Sequence, residues 1–215
     1  MKTCKIFSFD YIERNKRNKM SLSEQGAKPT GLIGMIIGKL MNRFHTPFYL
    51  KFIHQIKLKP GNIVIDIGCG GGKFLNSFSS HYPAALFLGL DHSKKMTELA
   101  QKTNRKPISE NRLFLINGTV FTLPLKDKKA SLITAFETIQ FWPDIIESLK
   151  EINRVLDGKL IIINRYPQEG TTWWEKAKIK NEKEYYSILS QNGFKNIIIN
   201  KTIKKGWIIV EGDNS

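Results

Sequence analysis

The segment Ile63-Val64-Ile65-Asp66-Ile67-Gly68-Cys69-Gly70-Gly71-Gly72-Lys73-Phe74 constrains the fold more than any other stretch. A β-branched apolar run ends in glycines, and a helix-like pattern resumes at Phe74. That combination reads as a short buried strand and a tight turn into a helix. In such a turn, backbone N–H groups and the helix dipole can hold an anionic ligand group. A Cβ would obstruct the approach of a ligand to the backbone, which is a reason for glycine. Spacing excludes two ligand motifs. The dinucleotide fingerprint G-x-G-x-x-G places its third glycine on Lys73. The phosphate-binding G-x-x-x-x-G-K-[ST] ends on Phe74, which has no hydroxyl for magnesium. The pattern that fits is D-x-G-x-G-x-G, with Asp66 two places before Gly68.

The same rhythm continues downstream. Leu86 to Leu90, Leu113 to Ile116, Leu132 to Phe136 and Leu160 to Ile163 read as further strands. Helical segments at roughly 72–80, 93–103 and 143–156 separate them. Continuous apolar strands alternating with helices imply a mostly parallel sheet covered on both faces. A last helix, about 181–192, ends at Gly193. Ile197-Ile198-Ile199 and Trp207-Ile208-Ile209-Val210 then flank the short Lys204-Lys205-Gly206 turn, which predicts an antiparallel hairpin. Upstream, Leu32, Ile33, Ile36, Ile37, Leu40, Met41 and Phe44 recur at helix spacing. Pro47 interrupts the pattern before Phe48, Phe52, Ile53 and Ile56. Two helices over about 30–57 are expected to cover part of the domain.

Composition narrows the class. The 215 residues are 41% hydrophobic and 25% charged, which suits one globular domain with short appendages. The net charge of +15 makes an anionic partner worth weighing. Cys4 and Cys69 are too few for a disulfide framework or a Cys-rich zinc site, which points to a reducing, cytoplasmic compartment. No run reaches the roughly 18 apolar residues of a spanning helix. Residues 1–27 read as a basic leader, expected to be disordered. Residues 1–20 carry six Lys/Arg against Asp10 and Glu13, net +4. An RNA-touching arm and a true start at Met20 are the other two readings of this leader.

Five stretches, in order, resemble the motifs of class I S-adenosyl-L-methionine-dependent methyltransferases. VIDIGCGGGKF is similar to their first motif, and LGLDHS (88–93) to the second-strand motif. Asn117-Gly118-Thr119-Val120 with Leu123-Pro124-Leu125 resembles G-D-A-x-x-L-P-F. FETIQFWPD (136–144) resembles the end of strand four. Leu149 to Gly158 resembles the L-x-E-x-x-R-V-L-x-G helix and turn. The likeness covers about residues 28–211. It implies a Rossmann-like, doubly wound α/β/α sandwich with seven strands in the order 3-2-1-4-5-7-6 and the last strand antiparallel. It also implies a domain over 28–215 with an N-terminal helical lid like that of a small-molecule branch, and S-adenosyl-L-methionine as cofactor.

The resemblance assigns cofactor contacts to Asp66, Gly68, Cys69, Gly70, Asp91, His92, Gly118, Thr119, Val120 and Glu137. Asp91, 21 residues after Gly70 at a strand's C-terminal end, is placed to accept hydrogen bonds from ribose hydroxyls; its alternative is a helix N-cap. Asp66 is expected to accept N–H bonds from the glycine loop while placing the methionine end. His92 and Val120 are expected to flank adenine, with surface exposure the rival reading for His92. Thr119 stands where the family more often has Asp. Cys69 reads as a small filler, with no nearby His to activate it. For the transfer itself, Glu137 and His45 are the candidate catalytic groups. An N-cap or surface role for Glu137, and a helix-end cap for His45, are the alternatives. Trp142, Trp173 and Trp174 read either as packing or as substrate platforms. N-P-P-Y and Pro-Cys motifs are absent. The expected acceptor is a small molecule. RNA or a ribosomal protein is the second class, and a non-catalytic cofactor- or nucleic-acid-binding protein the third.

Overall fold

The computed structural model describes residues 52–202 and 206–214. The leader (1–27), His45 and all but the last few residues of the lid segment (30–57) lie outside them. Seven strands form one sheet: β1 (Ile63–Ile67), β2 (Leu86–Asp91), β3 (Leu113–Asn117), β4 (Ala130–Phe136), β5 (Leu156–Arg165), β6 (Lys195–Thr202) and β7 (Trp207–Asp213). Their order is β3-β2-β1-β4-β5-β7-β6. β1 to β5 run parallel, and β7 is antiparallel to both β5 and β6. The helices are α1 (Lys73–His81), α2 (Lys94–Thr103), α3 (Arg105–Ser109), α4 (Ile145–Val155), α5 (Thr172–Lys176) and α6 (Glu182–Gln191).

Side chains alternate between the two faces of the sheet. Ile63, Ile65 and Ile67 of β1 point into one apolar layer, shared with Leu149 and Ile152 of α4 and Leu189 of α6. Val64 points into the other, with Phe74, Leu75 and Phe78 of α1. Alternation therefore puts Asp66 on the α1 side, where a carboxylate meets an otherwise apolar layer. Local signals fix the helix starts. The Asp144 side chain accepts the Glu147 N–H at 3.0 Å, and Asn181 accepts that of Glu184 at 3.0 Å, each an N-cap.

Three details depart from the sequence pattern. Leu156-Asp157-Gly158 is not a turn but the start of β5: Leu156 pairs with Ala130, and the register shifts between Ala130 and Leu132. Gly158 lies so close that an added Cβ would sit 2.2 Å from the Ser131 carbonyl oxygen. The short helix α3 was not anticipated. Trp173 and Trp174 belong to α5 rather than to a loop. β1 sits between β2 and β4: the chain runs outward through β2 and β3, then crosses back past β1 to β4. The strand ends beside that switch open the crevice where ligands bind in such sheets.

Candidate active site

Asp91 ends β2 at the mouth of this crevice. Its Oδ2 accepts the Gly70 N–H at 2.8 Å and its Oδ1 the Ser93 N–H at 2.8 Å. Burial raises its pKa, while those two N–H groups and nearby His92 oppose the rise. Asp91 thus ties the glycine loop to the second strand. Sequence reasoning gave that task to Asp66, and the geometry reassigns it. Asp66 is fully buried and accepts the Thr134 hydroxyl at 2.7 Å. Burial pushes its carboxyl up to about 7; the Thr134 bond opposes this and the charge of Asp91 adds to it. Thr134 was not singled out in the sequence, although a threonine within Leu132-Ile133-Thr134-Ala135 was the available sign.

The glycines differ in their reasons. Gly68 has φ 72°, and a Cβ there would lie 2.2 Å from Thr138 Cγ2, so protein rather than ligand crowds it. Thr138 in turn donates its hydroxyl to the Ile67 carbonyl at 3.2 Å, joining the β4 end to the β1 end. Gly70 has φ 54°, and its Cβ would meet nothing within 4 Å. Open space beside a backbone anchored by Asp91 is what a ligand cradle requires. Cys69 is buried, and burial lifts its thiol pKa, which leaves it a filler against Gly89 rather than a nucleophile.

On the far side of Asp91, the Gly118 N–H and the Asn117 side-chain amide both donate to its carbonyl, at 3.0 and 2.9 Å. This holds the Gly118-Thr119-Val120 segment against the end of β2. Val120 is buried in the α4-side layer, whereas His92 and Thr119 are half-buried.

Glu137 follows β4 with φ 54°, uncommon for a residue with a side chain. Its N–H donates to the Ile163 carbonyl at 2.7 Å, and its carboxylate pairs with Arg165 at 2.9 Å. The guanidinium lies 5.3 Å from the centre of the Trp207 ring, which packs on Phe136 at 5.6 Å. Strand alternation would have sent Glu137 to the opposite face; the left-handed backbone turns it towards Arg165. It does not cap the short helical turn Ile139–Phe141, whose N-cap is Thr138. Arg165 was invisible in the sequence because its importance depends on the β4–β5 and β5–β7 pairings. Trp142 is buried in the α4-side layer.

Two buried carboxylates beside an open glycine loop are suited to a ligand that carries hydroxyl and cationic groups. Residues 65–162 match the family described as Methyltransferase domain. This stretch is a methyltransferase domain of the class I S-adenosyl-L-methionine-dependent type. The protein is an enzyme of that type, and S-adenosyl-L-methionine is its cofactor.

This methyltransferase is 28% identical over 183 residues to the demethylmenaquinone methyltransferase of Lactobacillus johnsonii, covering 70% of this chain and 75% of that protein. It is 26% identical over 129 residues to the Staphylococcus saprophyticus protein of the same name, covering 60% of this chain and 54% of that one, so it spans only about half of that relative's length. Among solved structures, an S-adenosylmethionine-dependent methyltransferase from Aquifex aeolicus superposes with a TM-score of 0.65 at 20% identity, covering 78% of this chain and 89% of that one. That likeness concerns the fold. Among the described residues no group of three or more His, Cys, Asp or Glu is arranged to hold a metal, and no helix is long and apolar enough to cross a membrane.

Proposed function

We propose that this enzyme works in the cytoplasm and methylates a small molecule, a flat hydroxyl-bearing ring of the quinol type. The observation that carries this reading is the likeness to demethylmenaquinone methyltransferases over most of the chain. Bound S-adenosyl-L-methionine supplies an electrophilic methyl on a sulfonium.

The chain's own residues bind and orient. Asp91, with one oxygen on each of two N–H groups, keeps further lone pairs for the ribose hydroxyls. Gly68, Cys69 and Gly70 present backbone to the ligand. Asp66, kept from water, favours a cationic amino group near it. His92 and Val120 flank the base, and Gly118 and Thr119 meet its edge. Glu137, held by Arg165, faces the reacting end. His45, outside the described residues, is retained as the candidate base from the lid.

Methyl-labelled cofactor incubated with a reduced demethylated naphthoquinone, and separately with total RNA, tests the assignment. Label should enter the organic-soluble product. Label confined to RNA would overturn it.

A further inference from the structure

Glu151 and Arg154 stand one turn apart on α4, so their side chains share a face of the helix. The Arg154 guanidinium uses all five of its N–H groups. Nε and Nη2 donate to the two Glu151 carboxylate oxygens, each at 2.7 Å. Nη1 donates to the Leu125 carbonyl at 3.1 Å and to Asp127 Oδ1 at 2.6 Å, and Nη2 also donates to the Leu123 carbonyl at 3.3 Å. Glu151 Oε1 accepts the Leu123 N–H at 2.7 Å as well. The Arg154 carbonyl accepts the Lys128 N–H at 3.0 Å. Leu123 and Leu125 are thus held on α4 by their backbone, while their side chains are buried in the α4-side layer. Asp127 is 74% exposed and adds little; Glu151, at 14%, is the partner that counts. The other end of this connection is fixed separately, where Gly118 and Asn117 donate to the Asp91 carbonyl. Residues 119–122 therefore hang between two anchors, one on the strand end that carries Asp91 and one on α4. The backbone bond within that span, from the Thr122 N–H to the Thr119 carbonyl, is long at 3.4 Å. The ends set its shape.

We propose that Arg154 and Glu151 are positioning residues for the cofactor's base: they fix the place of Thr119 and Val120, and with it the enzyme's choice of adenine over other purines. The inference rests on the reading in which Gly118 and Thr119 meet the base edge, and adds the pair that holds that edge in register. A guanidinium answered at every N–H fixes direction as well as distance. Adenine presents an amino donor beside a ring-nitrogen acceptor. Hypoxanthine reverses both, with a carbonyl acceptor beside a ring N–H. A protein edge held to answer the first pattern meets the second with mismatched groups, and an edge released from one anchor discriminates less.

The experiment uses the full chain and calorimetry with two ligands. One is the demethylated cofactor product. The other is its inosine analogue, with oxygen in place of the adenine amino group. The readout is the ratio of the two affinities. Wild-type enzyme should prefer the adenine ligand by about tenfold or more. Arg154→Lys keeps the charge but cannot reach Glu151 and two carbonyls together, and should cut the ratio to about threefold or less. A partly folded variant loses both ligands by the same factor, so a merely structural role leaves the ratio unchanged. Glu151→Gln keeps an oxygen for the Leu123 N–H and deprives the guanidinium of its charged partner. It should lower the ratio too, and it decides the matter if Arg154→Lys does not fold. A wild-type ratio retained in the folded variant would overturn the proposal alone. Wild-type enzyme that binds both ligands equally would overturn the proposal together with the base-edge reading.

Discussion

At the residue scale, Asp91 and Asp66 divide two tasks that the glycine-loop motif alone would give to Asp66. Asp91 is hydrogen-bonded to the loop and at the crevice; Asp66 is buried on the α1 face with a single hydroxyl partner. Asp91→Ala should weaken binding of the demethylated cofactor product by about 1.5–3 kcal/mol, roughly 10- to 150-fold, through lost charge-assisted bonds. Calorimetry showing unchanged affinity would remove Asp91 from the site. Asp66 makes a pH prediction. Its folded pKa, about 7, lies well above the ordinary aspartate value of 3.8. A raised acid favours folding below the unfolded pKa, and that contribution is lost as pH rises to the folded value. The melting temperature of the ligand-free enzyme should therefore fall between about pH 4 and 7. Asp66→Asn should flatten that decline; an equally steep decline in the variant would assign it to other groups, Asp91 among them, whose pKa is also raised.

At the element scale, the glycine loop shows what spacing could and could not reveal. Strand, loop and helix were legible because β-branched runs and glycines are local signals. The reason for Gly68 was not, since Thr138 reaches it from another strand. Gly68→Ala should destabilise the fold by about 2–4 kcal/mol, from the left-handed backbone and the crowding together. Thr138→Ser, which deletes the offending methyl and keeps the hydroxyl, should recover part of that loss in the double variant. Gly70→Ala carries only the backbone penalty, about 1–2 kcal/mol, and should instead cost cofactor affinity. Denaturant melts and calorimetry on the three variants separate these outcomes, and equal destabilisation at both glycines would contradict the geometry. Other gaps have similar causes. Leu156-Asp157-Gly158 looks like a turn because Asp and Gly are turn formers, yet pairing with the shifted strand at Ala130 makes it β5. Glu137 was legible as a residue at a strand end, but its ion pair with Arg165 required both a positive φ and a tertiary pairing.

At the scale of the whole molecule, the question is what a net charge of +15 does when the site that defines the family is built from buried carboxylates. The two are electrostatically separate. Exposed lysines and arginines act through solvent, where salt screens them within about 10 Å at 0.1 M. In the proposed site, Asp66 and Asp91 would meet the ligand at contact distance, out of water. Cofactor affinity should therefore change by less than about threefold between roughly 50 and 500 mM salt. Binding to total RNA should be weak and sequence-independent, and should fall steeply over the same range as counterions are released. If the charge serves only solubility and diffuse attraction, RNA retained at low salt will carry no methyl label. Filter binding and label transfer on the same samples decide between the readings. RNA that stays bound at 500 mM and takes up methyl groups would show base contacts beyond the diffuse field, and would make RNA the acceptor in place of a small molecule.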